Sequence, residues 1–205
     1  METLSKQQLR TQETQARLLN AAEQLFVRDG YEAAQLDEIA ASAGRSKGAV
    51  YTHFKSKEDL FLALFEHRIR TYVDRLVTAL HKCSNRKQSL ETFREFYVGL
   101  AHDRTWPILT LEFKLFALRH PESKERLRKA FEMSKAMNKD DSHYKQMFGE
   151  LTKGRKKEND LVVTALGPIV TGLVLESYFE PEILSEQGLR KLLGMIFDSL
   201  FSAES

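Results

Sequence analysis

Between Gln35 and Lys57 the chain reads QLDEIAASAGRSKGAVYTHFKSK, and these residue types suit one chemistry, the binding of phosphates beside hydrogen bonding to base edges. From Arg45 to Lys57 there are four basic residues (Arg45, Lys47, Lys55 and Lys57), one His and no acid. Such a run is the local positive patch that phosphate binding requires. Tyr51, Thr52 and His53 add hydrogen-bonding groups suited to phosphate oxygens or base edges. Lys57 stands where a long helix is expected to begin, and free N–H groups with the positive end of the helix dipole favour an anion there.

The elements that must position these residues follow from spacing. Ile39, Ala40 and Ala43 give one inward face over a short helix from Leu36, stopped by Gly44, and Val50 with Phe54 gives another over about 47–53. Glycine at 44 permits the left-handed backbone that a sharp turn needs. Small Ala40 and Ala49 allow the two helices to approach closely, which makes a helix-turn-helix. The second helix is then free to lie in a major groove about 12 Å wide with its N-terminal residues against the bases. Before this pair, Leu18, Leu19, Ala22, Leu25 and Phe26 predict a helix closed by Asp29-Gly30. After it, Ser56 with Asp59 starts a long helix whose stripe runs through Phe61, Phe65, Ile69, Tyr72, Leu76 and Leu80, about 36 Å in length.

Composition bounds the rest. The 205 residues contain 10 Gly, 4 Pro and one Cys, so a turn-rich β-sandwich and a disulfide framework are both excluded. The polar start METLSKQQLRTQETQ reads as a mobile arm and not a signal peptide, which with the single Cys predicts a cytoplasmic setting. The 15 residues Leu161 to Leu175 are uncharged but include Gly167, Pro168 and Gly172, and fall short of the roughly 20 that span a membrane. Net charge is only +2, from 31 basic and 29 acidic side chains. That average conceals the basic run.

Residues 17–65 resemble the DNA-binding domain of TetR/AcrR-type transcriptional regulators. The likeness is carried by RLLNAAEQLFVRDGY and then LDEIAASAGRSKGAVYTHFKSKEDLF, with the string AG-x-S-x-G-x-x-Y-x-HF-x-x-K at the family's spacing. The resemblance implies base-edge contacts from Lys47, Gly48, Ala49 and Thr52. It implies phosphate contacts from Ser46, Tyr51, His53 and Lys57. Two positions depart from the pattern. Gln35 stands where Thr is usual as both N-cap and phosphate contact, and Gln caps poorly. Arg45 replaces an apolar turn residue, so it either snorkels out to a phosphate or loosens the turn; the phosphate contact is the favoured reading.

Helical periodicity continues to the end of the chain, so the expected fold is all-α with about nine helices. Leu90, Phe93, Tyr97 and Leu100 mark one helix, Pro107 opens the next, and Pro121 opens a charged one with Leu127, Ala130 and Phe131. A polar patch at Asn138 to Asp141 precedes Tyr144, Met147, Phe148 and Leu151, and Lys153 to Asp160 reads as a loop. Two apolar helices, about 161–179 and 186–201, close the chain. They exceed what a small core needs, and two half-sites about 34–36 Å apart require a two-fold dimer. The resemblance likewise implies a homodimer through these helices on a palindromic operator. The expected division is a polar arm over 1–12, a three-helix helix-turn-helix DNA-binding domain over 13–57, and a helical ligand-binding and dimerisation domain over 58–205.

Aromatic residues crowd 90–151, and the family generally has an apolar effector pocket there. Phe96, Trp106 and Phe113 are the expected lining, the effector being a small molecule without further identity. No HExxH, GxSxG, phosphate-cradling glycine loop or CxxC is present, so an enzyme, a metal site and a cofactor are not expected. The functional expectation is a sequence-specific DNA-binding regulator, a repressor released from its operator by the effector.

Overall fold

In the computed structural model of the chain the described residues are 5–123, 125, 128 and 156–201, with side chains described except at 156–160. Eight α-helices lie among them and no strand: α1 (Lys6–Ala33), α2 (Leu36–Ser42), α3 (Lys47–His53), α4 (Lys57–Leu80), α5 (Arg86–Gly99), α6 (Thr105–Arg119), α7 (Lys156–Glu176) and α8 (Glu186–Phe201). Short 3-10 turns follow α5 at Leu100–His102 and α6 at Pro121–Ser123. The helix expected beyond Pro121, with Leu127, Ala130, Phe131 and the later group from Tyr144 to Leu151, lies outside the described residues.

Two differences from the sequence reading have local causes. Residues 6–12 are not an irregular arm but the first two turns of α1. Ser5 accepts from the Gln8 N–H at 3.2 Å while the Gln8 side chain accepts from the Ser5 N–H at 2.7 Å, a reciprocal capping box that starts the helix. At the other end, α7 begins at Lys156, inside the stretch read as loop, because KKEND is polar yet holds no helix breaker.

The chain divides into two compact units, 1–69 with 111–130, and 70–110 with 131–205. The first unit therefore takes in more than the helix-turn-helix segment 13–57. Its core is aromatic: Phe26 meets Phe61 edge-on at 4.9 Å, Tyr31 meets Phe61 at 4.8 Å and Phe116 at 4.5 Å, and Phe65 stacks on Phe113 at 3.6 Å. Around these rings Leu18, Ala22, Leu25, Ile39, Val50 and Leu60 are buried. The edge-on pairs among these, Phe26–Phe61 and Tyr31–Phe116, add stability beyond area burial.

Gly30 breaks α1 at φ 78°, and the chain makes one more turn to Ala33. The Tyr31 N–H freed by the break donates to the Glu112 carboxylate at 2.9 Å. A Cβ at position 30 would stand 3.4 Å from that carboxylate. Glycine is thus required there by the positive-φ backbone, while the carboxylate would leave a Cβ at ordinary contact distance.

In the second unit, Tyr97, Val98 and Ala101 pack with Leu166, Val170 and Val174 of α7 and Leu189, Leu193 and Phe197 of α8. Arg94 of α5 forks onto Asp198 of α8 at 2.7 and 3.0 Å, and its guanidinium crosses α8 at Gly194. Among the described residues no helix is long and apolar enough to cross a membrane.

Candidate nucleic-acid interface

The turn between α2 and α3 closes as a Schellman motif. Ala43 is the C-cap, Gly44 has φ 66°, its N–H donates to the Ala41 carbonyl at 3.0 Å, and the Arg45 N–H donates to the Ala40 carbonyl at 2.9 Å. An apolar residue commonly completes this motif at the position of Arg45. Here Arg45 is half-buried, and its guanidinium donates to the Gly44 carbonyl at 3.2 Å and the Thr14 hydroxyl of α1 at 3.4 Å. In the free protein the Arg45 head group turns back onto α1.

Ser46 caps α3, accepting from the Ala49 N–H at 3.3 Å. Val50 and Phe54 face the core, which leaves Lys47, Gly48, Tyr51 and Thr52 exposed on the outer side, Tyr51 at 51%. Ala49 and His53 are half-buried at its margin. The Thr52 hydroxyl donates back to the Gly48 carbonyl at 3.0 Å. The seven residues of α3 thus present an outer face of the types named from the sequence.

Two predicted site residues, Lys47 and Lys57, have partners that spacing did not disclose. The Lys47 ammonium meets Asp37 of α2 at 2.9 Å, and this hydrogen bond pushes the lysine pKa up. Gln35 occupies the N-cap position of α2 in extended backbone, is exposed, and makes no side-chain capping bond, in line with the poor capping expected of it. Lys57 donates to the carbonyls of Tyr31 at 2.9 Å, Glu32 at 3.0 Å and Ala34 at 3.2 Å, with the Tyr31 ring 4.7 Å away. Its ammonium therefore caps the C-terminal end of α1. Burial and the carboxylates of Glu58 and Glu32 push the Tyr31 phenol up to about 12.

The aromatic residues expected around an effector separate. Phe113 is fully buried in the first unit, stacked on Phe65, and is core there. Phe96 and Trp106 are half-buried in the second unit, where Tyr72 lies 6.3 Å from one and 5.3 Å from the other. The Tyr72 hydroxyl donates to Asp103, whose other oxygen accepts from the Thr105 and Trp106 N–H groups at 3.0 and 2.9 Å. Sequence reasoning missed Tyr72 and Asp103 as the residues that hold Trp106, since Tyr72 sat unremarked on the long stripe of α4.

A capped seven-residue helix, set on a Schellman turn with its cationic and hydroxyl face outward, defines the helix-turn-helix class of DNA-reading module. Comparisons with known proteins refine this. The model of bacterial regulatory proteins, tetR family, matches residues 18–64. The HTH-type transcriptional regulator TtgW of Pseudomonas putida is 31% identical over 113 residues, 55% of this chain and 69% of that protein. The HTH-type transcriptional activator FasR of Mycolicibacterium smegmatis is 39% identical over 92 residues, covering 44% of this chain and 42% of FasR. Across FasR and two further curated relatives the chain spans about half of their length (42, 56 and 48%). Among solved structures, the regulator FadR of Bacillus subtilis in complex with stearoyl-CoA shares the fold, with TM-score 0.67 and 20% identity over 93% of this chain and 99% of that one. The chain belongs to the TetR family.

Proposed function

We propose that this protein is a homodimeric, sequence-specific DNA-binding repressor whose α3 reads one half of a palindromic operator and which a small-molecule effector releases. The observation that carries the reading is the outer face of α3: Lys47, Gly48, Tyr51 and Thr52 point away from a core sealed by Val50 and Phe54. In this reading Lys47, Gly48, Ala49 and Thr52 meet base edges, and Ser46, Tyr51 and His53 hold phosphates. Gln35 joins them as a phosphate ligand free of any capping bond. Lys47 exchanges Asp37 for DNA on binding, and Arg45 would have to leave Thr14 to do the same.

The dimer rests on α7 and α8. Leu161 is 70% exposed and Met195 60% exposed, and Gly167 and Gly172 have open space where a Cβ would stand. A second copy covering these faces removes that apolar surface from water. For the effector, the second unit's Tyr72, Phe96 and Trp106 offer an aromatic wall, and α4 continues from the first unit into the second. Effector binding would shift the population between two dimer geometries, moving α4 and with it α3. Long-chain acyl-CoA is the first effector to try, because the similar FadR structure was solved with stearoyl-CoA.

The test is binding to the DNA upstream of the gene, by gel shift across a salt series, with random duplex as control. Operator binding tighter than random binding is expected, and Tyr51→Ala should weaken it without unfolding the protein. Equal affinity for both duplexes overturns the specific-regulator reading. Equal operator affinity with an effector bound and absent overturns the release mechanism.

A further inference from the structure

Three rings of the second unit are not packed as core. In the first unit Phe26, Phe61, Phe65 and Phe113 are each 1% exposed or less. Tyr72 of α4, Phe96 of α5 and Trp106 of α6 are half-buried instead. The other two rings are also inclined to Tyr72, Phe96 at 83° and 6.3 Å, Trp106 at 58° and 5.3 Å. Inclined rings leave faces uncovered that a parallel stack would close. All three lie within 70–110, so this aromatic corner is part of the second unit alone.

The corner is electron-rich. A ring face attracts a cation held within about 6 Å of the centroid, Trp most strongly. Asp103 adds a carboxylate to the same place. It accepts from the Tyr72 hydroxyl, and a hydrogen bond of that kind polarises the phenol towards its ring. The carboxylate is itself anchored by the Thr105 and Trp106 N–H groups at 3.0 and 2.9 Å, so charge, phenol and indole are fixed as one set. The adjacent cation, Arg104, is engaged at the end of α7: its guanidinium lies 5.3 Å over the Tyr178 ring and donates to Ser177. Thr110, one turn beyond Trp106 on the same face of α6, is buried with its hydroxyl unpartnered, which suits a ligand that also carries a hydrogen-bonding group.

We infer that Tyr72, Phe96, Trp106 and Asp103 form a binding site for an organic ammonium ion, and that this is the chemical class of the effector. The inference rests on the effector reading proposed above, which it narrows by charge. The rings bind the alkyl groups around the nitrogen and the carboxylate balances its charge, whereas an anionic head group would meet Asp103 with like charge. An uncharged ligand of the same shape gains the apolar contacts and nothing from the carboxylate or the ring quadrupoles.

Trp106 is the one Trp of the chain, so its emission reports on the corner directly. The full-length protein is titrated with (3-hydroxypropyl)trimethylammonium and with its uncharged isostere 4,4-dimethylpentan-1-ol. The cation should bind about tenfold more tightly than the alcohol. In Asp103→Asn the amide oxygen can still accept the two N–H bonds, and the preference should fall roughly threefold with binding of the alcohol unchanged. Tyr72→Leu should abolish the preference and Tyr72→Phe should keep most of it, which separates the ring from its hydroxyl; matching far-UV circular dichroism checks that each variant is folded. Equal affinity for the two probes in the wild type, or an unaltered preference in Asp103→Asn, overturns the inference. Quenching by stearoyl-CoA at lower concentration than by the cation assigns the corner to an acyl chain and overturns it as well. The cation is then added to the operator complex in the gel shift. Cation binding at Trp106 that leaves operator affinity unchanged keeps the site and is failure of the release reading; absence of operator preference without any probe is failure of the α3 reading itself.

Discussion

Lys57 decides between two kinds of chemistry, and Lys57→Met separates them. By sequence it is a phosphate ligand; in the fold its ammonium donates to three carbonyls at the end of α1, at 2.9, 3.0 and 3.2 Å. Methionine keeps most of the aliphatic stem and removes the charge, leaving those C-terminal acceptors without a donor. A hydrogen bond from a charged donor is worth about 1.5–3 kcal/mol net when buried. Here the bonds to Tyr31 and Ala34 are part-buried, while the one to Glu32 is exposed and adds little. With about 0.5–1 kcal/mol for the ammonium over the Tyr31 ring, the loss comes to roughly 2–3 kcal/mol. For a chain of this size each kcal/mol moves the midpoint by about 2–4 °C. Thermal unfolding should therefore show Lys57→Met melting roughly 5–10 °C below wild type. Below its melting point the variant should bind operator with an unchanged salt slope. A melting temperature within about 2 °C of wild type, together with a slope shallower by about 0.9 per half-site, would refute the capping argument and restore Lys57 to the phosphates.

Asp37→Asn removes the carboxylate that holds Lys47, so operator affinity should rise several-fold with melting unchanged; unaltered binding would show that Lys47 does not reach DNA. Gly194→Ala puts a Cβ 2.6 Å from an Arg94 nitrogen, displacing the guanidinium from Asp198 and lowering stability at neutral pH. Arg94 holds the Asp198 carboxyl below its ordinary value, so this stability is present above the unfolded pKa and lost as pH falls through the folded one. The gap between wild type and Gly194→Ala should accordingly close in acid, and a gap that persists there would refute the assignment. Tyr97→Phe removes a buried hydroxyl with no hydrogen-bond partner, so no loss of stability is expected at pH 7. Because burial pushes the Tyr97 phenol up to about 12, wild type should lose stability as pH rises from about 10 towards that value. The variant should lose less of it, as measured by denaturant titration at several pH values.

What could be read from the chain was what depends on near neighbours. Gly44 at φ 66°, the Ser46 cap, the inward Val50 and Phe54 and the start of α4 at Ser56 are all set within a few residues. The capping box at Ser5 is equally local, although the polar composition of 1–12 gives no apolar stripe to mark a helix there. The loop expected at Lys153–Asp160 gives way to α7 from Lys156, since a polar stretch without a breaker is equally compatible with helix. Contacts between elements were not legible. Nothing in the spacing of Lys57 points to carbonyls 23 to 26 residues away, and Phe113 joined Phe65 in the first unit although it follows Trp106 by only seven positions. A helix that changes unit partway, as α6 does, defeats any assignment of aromatics by sequence neighbourhood.

This has a consequence for the charge that meets DNA. Four cations between Arg45 and Lys57 looked like the phosphate-binding set, yet in the free protein Lys47 meets Asp37, Arg45 meets Thr14, and Lys57 caps α1. Of the four, only the Lys55 ammonium has neither ion pair nor hydrogen bond to a described residue, although its own backbone N–H donates to Asp59. The acids Asp37 and Glu38 are only a few residues upstream of the run, and folding brings one of them onto it. Counterion release scales with the cations that actually reach phosphates. If the helix-turn-helix supplied them all, Lys57 would have to abandon α1, at the cost to stability worked out above.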